Sequence, residues 1–277
     1  MDVAVELQQI VYRNKMRDQS EEVDRNIRFA ATLNLPRVKV ATTPSPGKFV
    51  IVAGGPSVKD HLEQIRALRS EPHNVIFAIN WAHNWLISNE IVPDGCLMYE
   101  IDVDPTGVLE KPHPDVTYYI CSLCHPTTFK ALEGYKCLLW HAQVDPKATH
   151  KALLDCFPRE PMIGGGFTTC SRTVPMGMAL GYSNFDIYGA DSSFPAGAAF
   201  THLDDYPTNT RVEDAIQLWT VDEAGEKRCF NTLPYLAIQA EMFYDFLSRY
   251  HELFRLRFHG EGLLPFIHKA DFPEQYE

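Results

Sequence analysis

The sequence predicts an α/β protein: a Rossmann-like, doubly wound, mostly parallel sheet with helices on both faces, preceded by an N-terminal helical arm. Three observations carry that prediction. From Lys48 onward, short aliphatic or β-branched runs alternate with helical stretches. Those runs are apolar at successive rather than alternate positions, as in strands covered on both faces. Glycine, short polar or acidic residues then follow four of the first six runs, and in an open α/β sheet the ligand lies beyond the carboxyl ends of the strands.

The elements follow in chain order. Residues 1 to about 33 are highly charged, with Leu7, Ile10, Val11, Val23, Ile27 and Ala30 spaced for one or two amphipathic helices. Such an arm suits a helical cap or a contact between two copies of the chain. The segment RVKVATTPSPGK (37–48) holds two prolines and a glycine and reads as a linker, so the arm and linker occupy 1–47 and the main domain 48–277. Strands are expected at 49–53, 75–79, 96–101, 117–121, 136–140, 185–189 and 253–258. Helices are expected between them at 58–69, 81–89, 126–132, 147–156 and about 169–181, with a long one at about 232–251. Right-handed crossovers would wind this series into one sheet. Residues 195–230 show no pattern.

Composition narrows the function classes. The chain has 277 residues, 45% hydrophobic and 22% charged, which is ordinary for a folded globular protein. No apolar run approaches the roughly 20 residues that span a bilayer. The N-terminus lacks the apolar core of a signal peptide, so a cytoplasmic location is expected. With 25 Lys+Arg against 36 Asp+Glu the net charge is −11, which disfavours non-specific nucleic-acid binding. The seven cysteines are an odd number, mostly inside apolar runs, and read as reduced, buried thiols. Cys121 and Cys124 form one C-x-x-C with no second pair at zinc-site spacing.

The strand ends carry the candidate chemistry. Gly54-Gly55-Pro56-Ser57 lets the backbone pass close to a ligand and turns into a helix whose N-terminal N–H groups favour an anion. A tight turn without a ligand would need the same residues. Asn80 follows the second strand. Gly164-Gly165-Gly166 forms a second glycine loop, with the hydroxyls of Thr168 and Thr169 near the helix start, and suits a phosphate or ribose. Pro175 requires that helix either to begin near Thr173 or to start earlier and kink. Gly189, Asp191 and Ser192 follow the sixth strand.

Asp102 and Asp104 form a D-x-D at the end of the third strand, with Glu100 just before them. Alternate residues of extended chain point the same way, so the two carboxylates suit one Mg²⁺ or Mn²⁺. A solvated acidic loop would show the same letters. His202, soon after the sixth strand, suits a general base, with Asp191 as the other candidate. His83, His125 and His141 also follow strands or open helices, and spacing does not choose among them.

The segments IVAGGPSVKDHLEQI, VIFAINWAHNWLISNEIVPDGCLMYEIDVDP and GGGFTTCSRTVPMGMALGYSNFDIYGADSSF, in that order, resemble the 6-hydroxymethylpterin diphosphokinase-like family. That family also contains the motility accessory factors implicated in flagellin glycosylation. It is similar in turn to bacterial sialyltransferases with one Rossmann-like nucleotide-binding domain. The resemblance spans about 48–200, with a weaker tail at 258–265. It implies that Gly54, Gly55, Pro56 and Ser57 approach the nucleotide's phosphate or ribose and that Asn80 contacts the nucleotide. It places Asp102 and Asp104 on family aspartates, Thr168 and Thr169 near the sialyltransferases' Thr-Ser-Gly turn, and Gly189 and Asp191 on their Gly-x-Asp. Two features depart from the sialyltransferases. The glycine loop replaces the arginine before that turn, and the phosphate-supporting tyrosine pair is missing, with Ser193 near the first position.

The leading expectation is a nucleotide-dependent transferase, a glycosyltransferase moving sugar from a nucleotide-activated donor to a hydroxyl acceptor, with Mg²⁺ or Mn²⁺ beside the phosphates. The alternative is Mg²⁺-dependent transfer of diphosphate from ATP to a 6-hydroxymethylpterin-like alcohol. A non-catalytic nucleotide-binding protein is the third reading, because fold alone does not fix function.

Overall fold

The apolar runs become the interior strands of one sheet. In the computed structural model, residues 20–101, 109–143, 147–166, 168–199, 201–203, 215–221, 225 and 227–277 are described. The strands are β1 (Phe49–Val52), β2 (Val75–Ile79), β3 (Gly95–Met98), β4 (Thr117–Cys121), β5 (Lys136–Ala142), β6 (Met162–Ile163), β7 (Asn184–Tyr188), β8 (Ile216–Val221), β9 (Lys227–Thr232) and β10 (Arg255–His259). The helices are α1 (Ser20–Thr32), α2 (Leu62–Ser70), α3 (Ala82–Ser88), α4 (Pro126–Ala131), α5 (Lys147–Cys156), α6 (Thr169–Ala179), α7 (Pro234–Tyr250) and α8 (Leu263–Asp271). A 3₁₀ turn, Pro56–His61, precedes α2.

Eight strands form a parallel sheet in the order β10-β7-β1-β2-β3-β4-β5-β6, while β8 and β9 pair as a separate antiparallel hairpin. Strands β1 to β6 are laid outward one after another. The chain then returns through α6 and places β7 on the other side of β1. Strand order therefore reverses at β1, the kind of switch point beside which α/β sheets bind their ligands.

Adjacent residues of β1 point to opposite layers. Val50 and Val52 join a core with Val23 and Ile27 of α1, Ile65 of α2 and Leu86 of α3. Phe49 and Ile51 join a second core with Val174 of α6, Phe243 and Leu247 of α7 and Leu264 of α8. Burial of both faces explains why the strands read as unbroken apolar runs rather than alternating ones.

Several elements differ from the sequence expectation. The strand expected over 96–101 stops at Met98, because Tyr99 and Glu100 leave the ladder for the crevice wall. Helix α6 begins at Thr169 and carries Pro175 inside it. The ring leaves Ser171 C=O without its i+4 donor, and Gly165 packs at that gap. A Cβ on Gly165, whose φ is +91°, would lie 2.7 Å from Ser171 O and 2.9 Å from Pro175 Cγ. The patternless stretch 195–230 contains β8 and the start of β9, and α8 extends the 258–265 tail. Residues 36–45 lie against the main sheet and α6: Leu139 N–H donates to Pro36 O, Val38 N–H to Leu139 O and Ala41 N–H to Ala179 O. Among the described residues, no helix is long and apolar enough to cross a membrane.

Candidate functional site

A cavity of about 310 Å³ lies at the carboxyl ends of β1, β2, β3 and β7, a size at the lower end of small-molecule sites. Its wall is built from Ala53–Gly55 after β1, Asn80 after β2, Tyr99 and Glu100 after β3, and Gly189–Ser193 after β7. Thr168, Thr169 and Cys170 bring the N-terminus of α6 to it. Thr201, His202 and the first turns of α7, through Tyr235, Leu236 and Gln239, complete it.

The β1 and β7 loops are locked together. Gly55 N–H donates to Gly189 O at 2.8 Å, continuing the parallel ladder past the strands. Gly189 adopts φ +70°, and a Cβ there would lie 2.4 Å from Ala53 O, so only glycine permits this approach. Asp191 is 4% exposed and accepts from Ser57 N at 2.9 Å and Ser57 Oγ at 2.5 Å. Burial pushes its carboxyl up to about 6; the Ser57 bonds oppose that rise and the charge of Asp60 adds to it. The carboxyl thus bridges two loops. Its own backbone carbonyl accepts from Leu264 N and Ser193 Oγ.

On the opposite wall the Asn80 side-chain amide donates to Glu100 Oε1 and, at 3.3 Å, to Thr169 Oγ. Asn80 is 5% exposed and its Oδ1 is buried without a partner. Among the described residues, Asn80 (φ +47°) and Ser192 (φ +50°) are two of the four non-glycine residues with positive φ, and both stand in this wall. Such backbones persist only where the surroundings hold them. Leu97 O and His83 N bond the Asn80 backbone, while Thr232 Oγ and Gln239 Nε2 donate to the Ser192 C=O and hydroxyl.

Charge in the wall is distributed unevenly. Among the described lining residues none is Lys or Arg, whereas two are carboxylic acids. Positive potential comes instead from the open N–H groups of α6, whose N-cap Thr168 accepts from Ser171 N. Arg172 on α6 is 3% exposed and donates to Ile163 O at 2.9 Å and Gln143 O at 3.0 Å. Its guanidinium stands 4.8 Å from the Tyr99 ring centroid and braces that ring from behind. His202 Nδ1 lies 2.8 Å from Thr201 Oγ, and Leu203 N–H donates to Gly54 O, seating this short segment on the β1 loop.

Of the residues singled out by sequence, the structure gathers Gly54, Gly55, Asn80, Thr168, Thr169, Gly189, Asp191, Ser192 and His202 around one cavity. Pro56 and Ser57 stand behind the wall, with Ser57 turned to Asp191. Gly164, Gly165 and Gly166 are also outside it, the last two packed on Ser171 of α6. Asp102 and Asp104 lie outside the described residues, among which no three His, Cys, Asp or Glu groups converge as a metal site. Tyr99, Thr201, Tyr235, Leu236 and Gln239 were not expected. Tyr235 and Gln239 share one face of a helix at i, i+4, a spacing that signals a face but not what it faces.

Residues 24–197 match the family model described as 6-hydroxymethylpterin diphosphokinase MptE-like. The 6-hydroxymethyl-7,8-dihydropterin pyrophosphokinase of Methanothermobacter thermautotrophicus is 28% identical over 155 residues, 56% of this chain and 61% of that protein. Among solved structures, the MAf glycosyltransferase of Magnetospirillum magneticum AMB-1 superposes with a TM-score of 0.66 at 17% identity, over 88% of this chain and 37% of that one. At that identity the likeness is one of fold. The chain spans less than two thirds of either relative's length.

Proposed function

The chain belongs to the MptE-like family, and from that premise we propose that it is a nucleotide-dependent transferase whose reaction is diphosphate transfer from ATP to a pterin-like primary alcohol. The observation that carries the reading is the cavity at the β1/β7 reversal, walled by glycine loops and faced by the N-terminus of α6. That placement suits a phosphorylated ligand.

In this reaction the alcohol oxygen attacks the β-phosphorus of ATP and the bond from that phosphorus to the α,β-bridging oxygen breaks. The bond's electrons leave with AMP, and the alcohol proton passes to a base. His202 is the base in this reading, held at Nδ1 by Thr201. Asp191 serves as the brace between the β1 and β7 loops, since both its oxygens are engaged by Ser57. The α6 N–H groups hold phosphate oxygens, and Gly54, without a side chain, lets them approach the β1 loop. Mg²⁺ or Mn²⁺ would supply the remaining positive charge at Asp102 and Asp104, because the described wall has no cationic side chain.

Product analysis tests this. With ATP, Mg²⁺ and 6-hydroxymethyl-7,8-dihydropterin, AMP should appear in step with the diphosphorylated alcohol. Release of a nucleoside mono- or diphosphate from a sugar nucleotide, with no AMP from ATP, would replace this reading with glycosyl transfer. Binding of a nucleotide with no turnover of either donor class would leave a non-catalytic nucleotide-binding protein.

A further inference from the structure

The β2/β3 side of the cavity offers acceptors. Glu100 contributes a carboxyl group and Thr169 a hydroxyl oxygen, and both take the N–H bonds of the Asn80 amide. The amide's own oxygen remains without a donor at a residue 5% exposed. Buried polar atoms in folded proteins are nearly always paired, so this acceptor beside the cavity is one that an N–H or O–H donor entering the site would satisfy. Asn80 adopts φ +47°, its backbone fixed by Leu97 O and His83 N–H. Beside Glu100 stands Tyr99, 6% exposed, its ring braced by Arg172.

We propose that Glu100, positioned by Asn80, recognises a planar heterocycle through a donor edge: a ring N–H next to an exocyclic amino group, as a 2-amino-4-oxopyrimidine ring presents. A carboxylate accepts from both donors at once, and Asn80 Oδ1 is the neighbouring acceptor. Pterins and guanine share this edge. Adenine and cytosine place a ring-nitrogen lone pair next to their amino group, and that lone pair would face the carboxylate; the site therefore discriminates against them as well as for its ligand. The inference rests on the reading that this cavity holds the substrates, and it assigns the heterocycle of the acceptor, rather than the adenine of ATP, to the Glu100 wall.

Titration of the full chain with 6-hydroxymethylpterin, followed by the pterin's own fluorescence, and with GMP, AMP and CMP by calorimetry, tests the assignment. Binding of the pterin, of GMP or of both, at least tenfold tighter than AMP and CMP, is expected. A tighter pterin identifies the alcohol substrate, and a tighter GMP a guanine nucleotide. Glu100→Gln should weaken that binding at least tenfold, because its amide sets N–H against N–H. The wild-type chain supplies a second measurement free of folding effects: 6-hydroxymethyllumazine, which carries a carbonyl in place of the 2-amino group, should bind at least tenfold more weakly. Asn80→Ala should compress this pterin-to-lumazine ratio, which a merely structural loss would leave alone. Equal binding of pterin and lumazine, or no preference over AMP and CMP, overturns the assignment. An ATP-induced rise in Tm that persists in that case leaves the proposed function standing. Pterin or GMP binding without any response to ATP removes the diphosphate-donor reading and retains the recognition edge.

Discussion

Replacing Asp191 with asparagine separates the charge of this side chain from its hydrogen bonds. Its carboxyl is 4% exposed and pushed by burial up to about 6, against an ordinary 3.8. The folded protein therefore holds that proton more tightly than the unfolded chain does. Below about pH 4 both states are protonated and nothing is lost. Between about pH 4 and pH 6 the unfolded chain ionises first, and stability falls as pH rises. Above about pH 6 both states are ionised and the whole penalty remains. The difference, 6 − 3.8 = 2.2 units, corresponds to about 3 kcal/mol at about 1.36 kcal/mol per unit. Asparagine does not ionise, and its amide keeps an acceptor for Ser57 N–H and a donor for Ser57 Oγ. In urea unfolding across this range, the variant should gain on the wild type as pH rises, by about 3 kcal/mol from about pH 4 to pH 8. A stability difference that stays flat would mean that the ionised carboxylate is not destabilised by burial. One that shifts in favour of the wild type as pH rises would mean that the Ser57 bonds outweigh desolvation.

Gly55→Ala puts a methyl 2.4 Å from Gly189 O and 2.6 Å from Asp191 Oδ2; it should cost about 1–3 kcal/mol in urea unfolding and reduce the Tm shift given by ATP. His268 is 1% exposed and burial pushes its imidazole down to about 3, from an ordinary 6.5. Its neutral form is the one that folds, so stability is present above the ordinary value and lost as pH falls; at about pH 4 the loss is about 3 kcal/mol, and His268→Gln should flatten that slope. Of the seven thiols, Cys229 is exposed, while burial raises Cys121 to about 11 and Cys124 well above its ordinary value. A thiol reagent should show one fast reaction, absent in Cys229→Ser, with the C-x-x-C pair silent until unfolding. The double variant Asp102→Ala, Asp104→Ala should abolish Mg²⁺-dependent AMP release; unchanged turnover would remove the metal from that loop.

The fold was legible because this sheet is buried on both faces. Runs such as Phe49–Val52 and Val75–Ile79 therefore read as strands without help from periodicity. What escaped lacked that signal. β6 is two residues long, and Trp219 and Val221 of β8 are apolar but face outward, erasing the alternation of a one-sided strand. α8 opens between Gly262 and Pro265, residues that usually interrupt helices. At the site, the strand-end rule located Gly54, Asn80, Gly189 and Ser192 because topology alone brings strand ends together. A run of three glycines leading into a helix, rather than a strand end, singles out Gly164–Gly166. Positions 165 and 166 are demanded by contact with Ser171 and Pro175 of their own helix, and a glycine loop looks the same in sequence for either cause. Gln239 and Tyr235 reach the cavity only because α7 folds back across the sheet, which no local pattern encodes.

The reversal of strand order also governs biosynthesis. During translation β1 emerges early and finds β2 almost at once, but its other edge waits for β7, since Phe49 pairs with Phe185 far downstream. At about 10 residues per second, that wait is on the order of ten seconds. For that interval a fully apolar edge, Phe49–Val52, is open to any strand that passes, its own copies on the same polysome included. Half of the cavity wall is also still unmade, so a nascent ligand cannot rescue the intermediate. Poor expression of weakened variants would then trace to the order in which the ribosome releases these strands, and slowing synthesis would worsen it.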